Sequence, residues 1–460
     1  MGTKLTDNRD FYRRVLHIML PILVQNCITF FVSLLDNIMV GQVGTEQMSG
    51  ISIANQLIMV FNLTVFGANS GAGIFTAQYH GSQDDQGIRN CLRYKILLCT
   101  LLTVLGVGVF WGFGPNLIGV YLQGEGDPAS AARILDYSYS YMKIMLLGLL
   151  PFALSNAYSS TLRECGRAVP PMIGSIAAVL TNLILNYVLI FGKFGAPALG
   201  SDGAAIATVI SRFVELGVVV VYSHKKGLSY MKGLLRSFRI PRKLVLRVTV
   251  KGTPLMLNEF LWSMGIAMLT QCYSTCGLNV VPALNIAETL NNLSNVVVMA
   301  LGNTVGIVMG QLMGSGCAET EIRAKNKNLL LLSVLSGLVF GVVEAAAAPF
   351  FPQLYNTTDN VRTLAMQLML VYACMKPVMA YVFGGYFTLR SGGQTMIALV
   401  FDGGFMWLLT IPLAFCLSRF TGTPIMLLFI LCNSVDFIKC IAGWYLLRKG
   451  SWIQNLAIHD

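Results

Sequence analysis

The sequence predicts an all-α polytopic membrane protein, with twelve transmembrane helices in two six-helix lobes related by a pseudo-twofold axis along the membrane normal. Two observations, one of composition and one of sequence pattern, support this class. The chain has 460 residues, of which 55% are hydrophobic and 12% charged, whereas soluble domains are about 25% charged. Apolar runs of roughly 20 residues, each long enough to cross a ~30 Å hydrocarbon layer, recur along the whole chain.

Each apolar run is predicted to be a helix, because an isolated segment in lipid must satisfy its own backbone hydrogen bonds. Barrel strands would be about half as long. The first run is too long for the apolar core of a signal peptide and no small-residue cleavage site follows it, so we expect no cleavable signal. The predicted spans are 15–40, 48–76, 94–122, 134–159, 169–193, 203–223, 249–274, 283–313, 328–351, 363–388, 396–418 and 424–447.

The distribution of Lys and Arg predicts the orientation. Of 32 such residues, 24 fall in the terminal segments and loops on one side of the predicted membrane, four on the other side and four within spans. Cytoplasmic loops carry the excess of basic residues, so both termini are predicted to be cytoplasmic. The net charge of +11 is then a topology signal and a contact for anionic lipid, and a nucleic-acid partner is not needed to explain it.

The chain repeats itself at an offset of 233 residues. The longest basic loop divides the spans six and six, which predicts lobes at 1–222 and 249–460 joined by a cytoplasmic linker at 223–248. Because each half has an even number of spans, the halves enter the membrane from the same side, as in parallel-repeat transporters. Matching pairs are Pro21 with Pro254, Asn62 with Asn295, Gly73 with Gly306, Gln78 with Gln311 and Gly81 with Gly314.

These residues resemble the multidrug and toxin extrusion family along essentially the whole chain. The matching pieces are Leu35-Asp36-x-x-Met39-Val40-Gly41-x-x-Gly44, Gly73 to Gly81, Leu162-Arg163-x-x-Gly166, Leu185-Asn186-Tyr187-x-Leu189-Ile190-Phe191-Gly192, Gly203 to Thr208, and Leu389-Arg390-x-Gly392-Gly393-x-Thr395. The resemblance implies a multi-pass protein of the inner or plasma membrane. It also implies export of organic, mainly cationic, compounds in exchange for H⁺ or Na⁺ by alternating access of the two lobes.

An ionisable group inside a spanning helix is a functional candidate, because burying it in lipid is costly. Asp36 in the first span, Asn182 and Asn186 in the fifth and Thr208 in the sixth are predicted at similar depth. Their oxygens suit Na⁺, and the desolvated carboxylate can instead carry a proton. The resemblance implies the same cluster in the first lobe. Some relatives carry Asp where Asn186 stands. The absence of that negative charge would weaken the binding of Na⁺ in this chain.

The second lobe carries different charges. Leu269 stands at the repeat position of Asp36, and Glu259 stands at that of Asn26. Glu259 and Lys376 are predicted at matching depth, which suggests an ion pair that is either structural or a substrate contact. Lys376 departs from the family pattern and would neutralise the acid. Gln25, Asn26, Asn62, Asn258, Asn292 and Asn295 are candidates for lining the cleft between the lobes.

Other intramembrane charges are predicted to be structural. Arg212 with Glu215 and Asp436 with Lys439 are three apart on one helix face and are predicted to pair. Asp402 is predicted to be a packing or gating residue. Eleven scattered cysteines without ligand spacing are expected to pack rather than form disulfides or metal sites.

The sequence is compatible with three other functions, each less well supported. A lipid-linked oligosaccharide flippase would need a strongly cationic cleft, and a passive channel would not need two lobes with unequal buried charges. A membrane enzyme is not expected, because the sequence lacks His-Glu-x-x-His, Gly-x-Ser-x-Gly with partners, and a nucleotide-binding loop. We therefore expect no catalytic residue, cofactor or metal beyond a Na⁺ at Asp36, small-molecule substrates, and a chain that works as a monomer without a protein partner.

Overall fold

The computed structural model describes residues 8–42, 44–122 and 127–457, so the first seven residues of the predicted N-terminal lobe 1–222 lie outside it. The described residues are almost entirely helical, which confirms the predicted fold class. The helices are α1 Asn8–Gly41, α2 Thr45–Gly81, α3 Asp85–Tyr121, α4 Pro128–Leu146, α5 Leu149–Glu164, α6 Val169–Phe191, α7 Gly200–Lys225, α8 Arg242–Ser274, α9 Val280–Gly314, α10 Glu319–Ala347, α11 Asp359–Ser391, α12 Thr395–Leu399, α13 Ile411–Phe420 and α14 Ile425–Lys449.

Among the described residues, ten helical segments are long and apolar enough to span a membrane, and the bent pair α4–α5 raises the number to eleven. Helix α8 is the twelfth long helix, and charges at its start and at Glu259 lower its hydropathy. The segment from α12 to α13 is one span whose middle, Val400–Gly404 and Met406–Thr410, winds as a π-helix. Such π segments often mark functional positions in helices.

The fourth predicted span, 134–159, is a helix broken by a 49° bend between α4 and α5. Helix α4 starts where Pro128 follows Asp127, whose carboxylate accepts from the Ala129 N–H at 3.0 Å. That is an N-cap with proline at the first helical position. Gly148 stands at the break and Pro151 lies in the first turn of α5, and both residues weaken a continuous helix.

The contacts divide the described chain into two compact units. The N-unit contains the described residues of 20–76 and 85–246, and the C-unit contains those of 8–19, 77–84 and 247–457. In the N-unit, α6 packs along α7, and small buried residues such as Ala153, Ala157 and Ala205 form its core with larger ones from α2 and α4. In the C-unit, α11 packs between α9 and α10.

The loop between α7 and α8 is anchored to α3. Arg89 donates to the carbonyls of Ser229 and Tyr230, and Arg93 donates to those of Gly233 and Leu234. Two short 3₁₀ turns, Ser229–Met231 and Leu234–Arg236, present these carbonyls. The basic loop is therefore partly folded against the N-unit.

In the C-unit, repeat-related glycines let the ends of α2 and α9 cross with their backbones in contact. A Cβ on Gly314 would meet the Gln78 carbonyl, and a Cβ on Gly81 would meet the Gln311 carbonyl. Gly81 and Gly314, which match in the sequence repeat, therefore also lie at the same helix crossing, where each contacts the backbone of the other's helix. Arg14 donates to the Gln311 side chain at 2.6 Å and adds a polar tie at this crossing.

We expect Gly314→Ala to lower the melting temperature of the purified protein in detergent. The new methyl group overlaps a backbone carbonyl that cannot rotate away, and overpacking of this kind costs about 1–3 kcal/mol. Gly108→Ala in α3 is the matched control, because its Cβ meets nothing within 4 Å. Equal melting temperatures for the two variants would show that the crossing is not tight.

Candidate ion-coupling site

A cavity of about 420 Å³ lies inside the N-unit, between α1, α2, α5, α6 and α7. Its lining is largely polar. It includes five of the residues predicted from sequence, namely Gln25, Asp36, Asn62, Asn182 and Thr208. The other charged side chains that line it are Arg163, Arg212 and Glu215.

The tight pairing of α6 and α7 positions the polar side chains of this site. Helix α6 ends at Gly192, which has φ +65°, the left-handed conformation that glycine adopts without strain. A Cβ on Gly203 would lie 2.7 Å from the Leu189 carbonyl, so glycine is required for the close approach. Asn182 and Asn186, one turn apart on α6, therefore face Thr208 on α7.

The structure brings Asp36, Asn182, Asn186 and Thr208 into one hydrogen-bonded chain. The Asn186 amide donates to Asp36 Oδ1 at 2.6 Å and lies 3.1 Å from Asn182 Oδ1. Asn182 donates to Thr208 Oγ1 at 3.2 Å. With its amide turned over, Asn182 instead donates to Asp36 at 2.9 Å and accepts from Thr208.

This arrangement makes Asp36 a carboxylate that faces a cavity and is held by neutral amide donors. Asn186 is 1% exposed, and its Oδ1 has no hydrogen-bond partner among the residues that the structure describes. A carboxylate without a cationic partner can take up a proton or a monovalent cation, and it can also bind the cationic end of an organic molecule. The chemistry available here is therefore reversible binding of positive charge.

The other charges in the cavity are not arranged as predicted. Arg212 and Glu215 do not form the predicted ion pair. Glu215 accepts from Ser175 at 2.7 Å, while Arg212 donates to the Gly148 carbonyl at 3.3 Å and lies over the Phe152 ring. A spacing of three residues puts side chains on one face but does not fix their rotamers, and both find partners on neighbouring helices.

The C-unit corrects the predicted pair of Glu259 and Lys376. Lys376 instead lies 3.0 Å from Glu344, and both side chains are 0% exposed. Asn295 accepts from the same ammonium group at 3.1 Å, as does Asn291. The prediction failed because equal depth does not imply adjacency.

Glycines explain why α10, and not α8, supplies the partner of Lys376. A Cβ on Gly337 would lie 2.9 Å from the Lys376 carbonyl, and one on Gly341 would lie 3.3 Å from Lys376 Cβ. Helix α10 therefore packs directly against Lys376, and Glu344 follows Gly341 by three residues on the same face. The clue in the sequence was a carboxylate inside the predicted span 328–351.

A second cluster of polar and charged side chains lies in the C-unit around Glu259. Glu259 is half-buried, and Arg390 and Asp402 are charged neighbours of it. Asn258 donates to Asp402 at 3.0 Å and accepts from the Gly403 N–H at 3.0 Å. That second bond satisfies a backbone group within the π-helical segment. Asn258 thus ties Asp402 and this segment to α8, and the predicted packing or gating role of Asp402 stays a prediction.

Lys439 completes the second cluster from α14. It lies 3.4 Å from Asp436, as predicted, and 3.7 Å from Asp402.

Among the remaining cleft candidates, Asn26 is half-buried and Asn292 is exposed. Their roles stay predictions.

Two cations inside the fold were not predicted as functional candidates: Lys95, which was counted with the cytoplasmic charges although it is the second residue of the predicted span 94–122, and Arg163, which was placed in a cytoplasmic loop. Lys95 is 0% exposed and lies 2.6 Å from Glu164, which occupies the space beside Gly73. Arg163, near the end of α5, lines the cavity. The helices extend several residues beyond the apolar runs, so charges near the predicted boundaries are inside the fold.

Comparisons with known proteins identify the relatives of this chain. A family model described as MatE matches residues 21–188 and 254–416. The chain is 23% identical over 412 residues to a probable multidrug resistance protein NorM of Thermotoga maritima, covering 89% of this chain and 86% of the relative. It is 23% identical over 436 residues to a probable multidrug resistance protein YoeA of Bacillus subtilis, covering 92% and 90%.

Solved structures show the same fold. An outward-facing multidrug resistance MATE family transporter of the MOP superfamily aligns with a TM-score of 0.86 at 17% identity, over 96% of both chains. A MOP superfamily transporter from Pyrococcus furiosus aligns with a TM-score of 0.81 at 16% identity, over 95% of this chain and 96% of that one. The latter is described as having a binding pocket of reverse polarity that suggests a different function.

Proposed function

This chain belongs to the MatE family, and we propose that it is a secondary antiporter that exports organic, mainly cationic, compounds in exchange for protons. Its relatives in Thermotoga maritima and Bacillus subtilis are named probable multidrug resistance proteins, and that naming supports an export role. The single observation that carries the proposal is the polar cavity inside the N-unit with the carboxylate of Asp36 in its wall.

Asp36 would couple the two fluxes by binding either a proton or the cationic group of a substrate. The two ligands then compete for one carboxylate, so arrival of one releases the other. Substrate would bind from the cytoplasm and leave when a proton from outside takes its place. Such competition is sufficient for exchange when the two lobes alternate access to the two sides.

The donors around Asp36 favour a proton over Na⁺ as the coupling ion. Na⁺ needs several oxygen atoms directed at one point, whereas the amide nitrogens of both Asn182 and Asn186 can donate to the carboxylate. The cluster has a single formal charge, that of Asp36, because Asn186 stands where some relatives carry an acid. This low negative charge also favours a proton over Na⁺.

The proposed setting is the inner or plasma membrane, with both termini in the cytoplasm and the chain working as a monomer. The excess of Lys and Arg in the predicted cytoplasmic loops supports this orientation.

Glu259 is proposed as a secondary cation or substrate contact in the C-unit. An oligosaccharide flippase is disfavoured, because pyrophosphate needs excess positive charge and the cavity's two carboxylates equal its two guanidinium groups.

The test is transport by purified protein in liposomes with pH and Na⁺ gradients imposed separately. We expect movement of the cationic dye ethidium to follow the pH gradient, with no response to a Na⁺ gradient at constant pH. Protein-free liposomes are the control. Transport driven by a Na⁺ gradient alone would show that Na⁺, and not the proton, is the coupling ion. Dye movement that responds to neither gradient would overturn the proposal of antiport.

A further inference from the structure

We propose that the C-unit binds an anionic phospholipid of the cytoplasmic leaflet. One acyl chain lies in a groove between α10, α11 and α14, and the phosphate group lies against Arg448 and Lys327. Helices of the C-unit alone form this site, and it is independent of which compound the protein exports. The lining of the groove, its depth in the membrane and the cations at its end support the assignment.

The groove is an apolar concavity of about 470 Å³ on the surface of the C-unit. The side chains that line it include Val334, Pro377, Tyr381, Ile441 and Trp444. Ile441 and Trp444 are 70% and 53% exposed although both lie within a predicted span, so they face the bilayer. Because the surroundings of a span are hydrocarbon, the molecule that fills this groove is a lipid chain.

Close packing of the three helices forms the floor of the groove. A Cβ on Gly337 of α10 would lie 2.9 Å from the Pro377 Cα, and a Cβ on Gly443 of α14 would lie 3.9 Å from the Tyr381 ring. The glycines leave a depression between larger side chains. A depression that exists before the ligand arrives lowers the cost of ordering it, so it favours one bound chain over freely exchanging lipid.

The groove lies in the cytoplasmic half of the predicted spans. Trp444 stands five residues before the end of α14, Tyr381 ten before the end of α11, and Val334 fifteen after the start of α10. These separations are about 8, 15 and 22 Å from helix ends that are predicted to be cytoplasmic. Tryptophan is common at the membrane interface, so Trp444 marks the level at which the headgroup region begins.

Two cations lie where the headgroup of that lipid would be. Arg448 follows Trp444 by one turn on α14, and its guanidinium carbon lies 5.1 Å from the centroid of the Trp444 ring. Lys327 precedes Val334 by seven residues, about two turns, and therefore lies on the same face of α10. Both cations are exposed, and in the described part of the chain neither has a carboxylate within ion-pair distance.

A hydrogen bond joins the cytoplasmic ends of the two helices that carry these cations. Arg323 of α10 donates to the Arg448 carbonyl at 2.7 Å. The nearby acid Glu319 accepts from Arg323 at 2.6 Å, so that acid is already paired. A guanidinium and an ammonium group suit a phosphate, and only a lipid with an anionic headgroup matches both the cations and the apolar groove.

The test measures contact between Trp444 and brominated lipids in liposomes that contain the purified protein. Bromine on an acyl chain quenches tryptophan fluorescence by contact. The difference between wild type and Trp444→Phe isolates the signal of Trp444 from those of the other four tryptophans. We expect brominated phosphatidylglycerol to bind beside Trp444 at least fivefold better than brominated phosphatidylcholine, since one cation near the membrane surface contributes about that factor.

Arg448→Gln should lower this preference about fivefold and leave quenching by brominated phosphatidylcholine unchanged, because the groove is retained. Arg239→Gln is the matched control, because Arg239 is an exposed basic residue of the loop between α7 and α8 and should not affect the preference. Glycerol phosphate in solution should not displace the brominated lipid, because it has no acyl chain.

Three results would overturn the lipid site. The first is equal binding of the two brominated lipids beside Trp444 in wild type. The second is a preference that persists in the double variant Arg448→Gln with Lys327→Gln, or that falls equally in Arg239→Gln. The third is displacement of the lipid by glycerol phosphate, which would show that the cations bind the anionic group without the groove.

Discussion

Asp36→Asn should abolish proton-coupled efflux while leaving the protein folded and present in the membrane at wild-type levels. The amide has nearly the shape of the carboxylate and its oxygen can still accept from Asn186, so packing around α1 is retained. It has no negative charge and cannot exchange a proton, so the competition between proton and substrate disappears. We expect gradient-driven dye transport to fall at least a hundredfold, on the order of the loss when an essential acid–base group is removed.

Asp359→Asn is the control for this substitution. Its carboxylate is 93% exposed and pairs with Arg362 at the surface, an interaction worth about 0–1 kcal/mol. Transport by that variant should match wild type. Wild-type transport by Asp36→Asn would remove Asp36 from the coupling mechanism and leave the Glu259 cluster of the C-unit as the next candidate.

The second large effect is expected at the buried pair of the C-unit. Lys376→Met removes the partner of Glu344, a carboxylate that is 0% exposed. Breaking a buried pair from one side costs about 3–5 kcal/mol, because the remaining charge has no compensation. We expect a large fall in melting temperature and in the yield of monodisperse protein.

Replacing both partners should reverse most of that loss. In Lys376→Met with Glu344→Leu neither charge of the pair remains, and apolar replacement of a buried pair is often neutral. Arg362→Met at the exposed pair with Asp359 is the control and should change stability by less than about 1 kcal/mol. A double variant no more stable than Lys376→Met alone would contradict this account of the pair.

The corrected pairing has its own consequence for Glu259. Glu259→Gln and Lys376→Met should have additive effects on stability, because residues without a shared partner usually contribute independently. A strong coupling between them, measured by a double-mutant cycle of melting temperatures, would restore the pair predicted from sequence.

Hydropathy was sufficient to predict the helices, because lipid forces each apolar run to form one. It could not show the break at Gly148 or the π-helical turn around Asp402, since both depend on local backbone geometry. The 233-residue repeat predicted the match of Gly81 with Gly314, but their mutual contact depends on how α2 and α9 cross. The fourth predicted span ended too early, at residue 159, which left Arg163 outside it, and Lys95 was overlooked because it stands at the very start of the span 94–122.

The candidate site was partly accessible from sequence for a physical reason. Asp36, Asn182, Asn186 and Thr208 lie on three helices at one depth, and helical periodicity is enough to group them. Pairing across helices is a different problem, because it depends on which helices are neighbours. Glu344 was missed as the partner of Lys376 for this reason.

The most direct test of the coupling mechanism is calorimetry of the binding of the cationic dye rhodamine 123 to the purified protein at mildly acidic pH, in buffers with different ionisation enthalpies. The dependence of the observed enthalpy on the buffer gives the number of protons released. We predict net proton release on binding to wild type and none on binding to Asp36→Asn. Equal proton release by the two proteins would contradict the exchange of substrate and proton at Asp36.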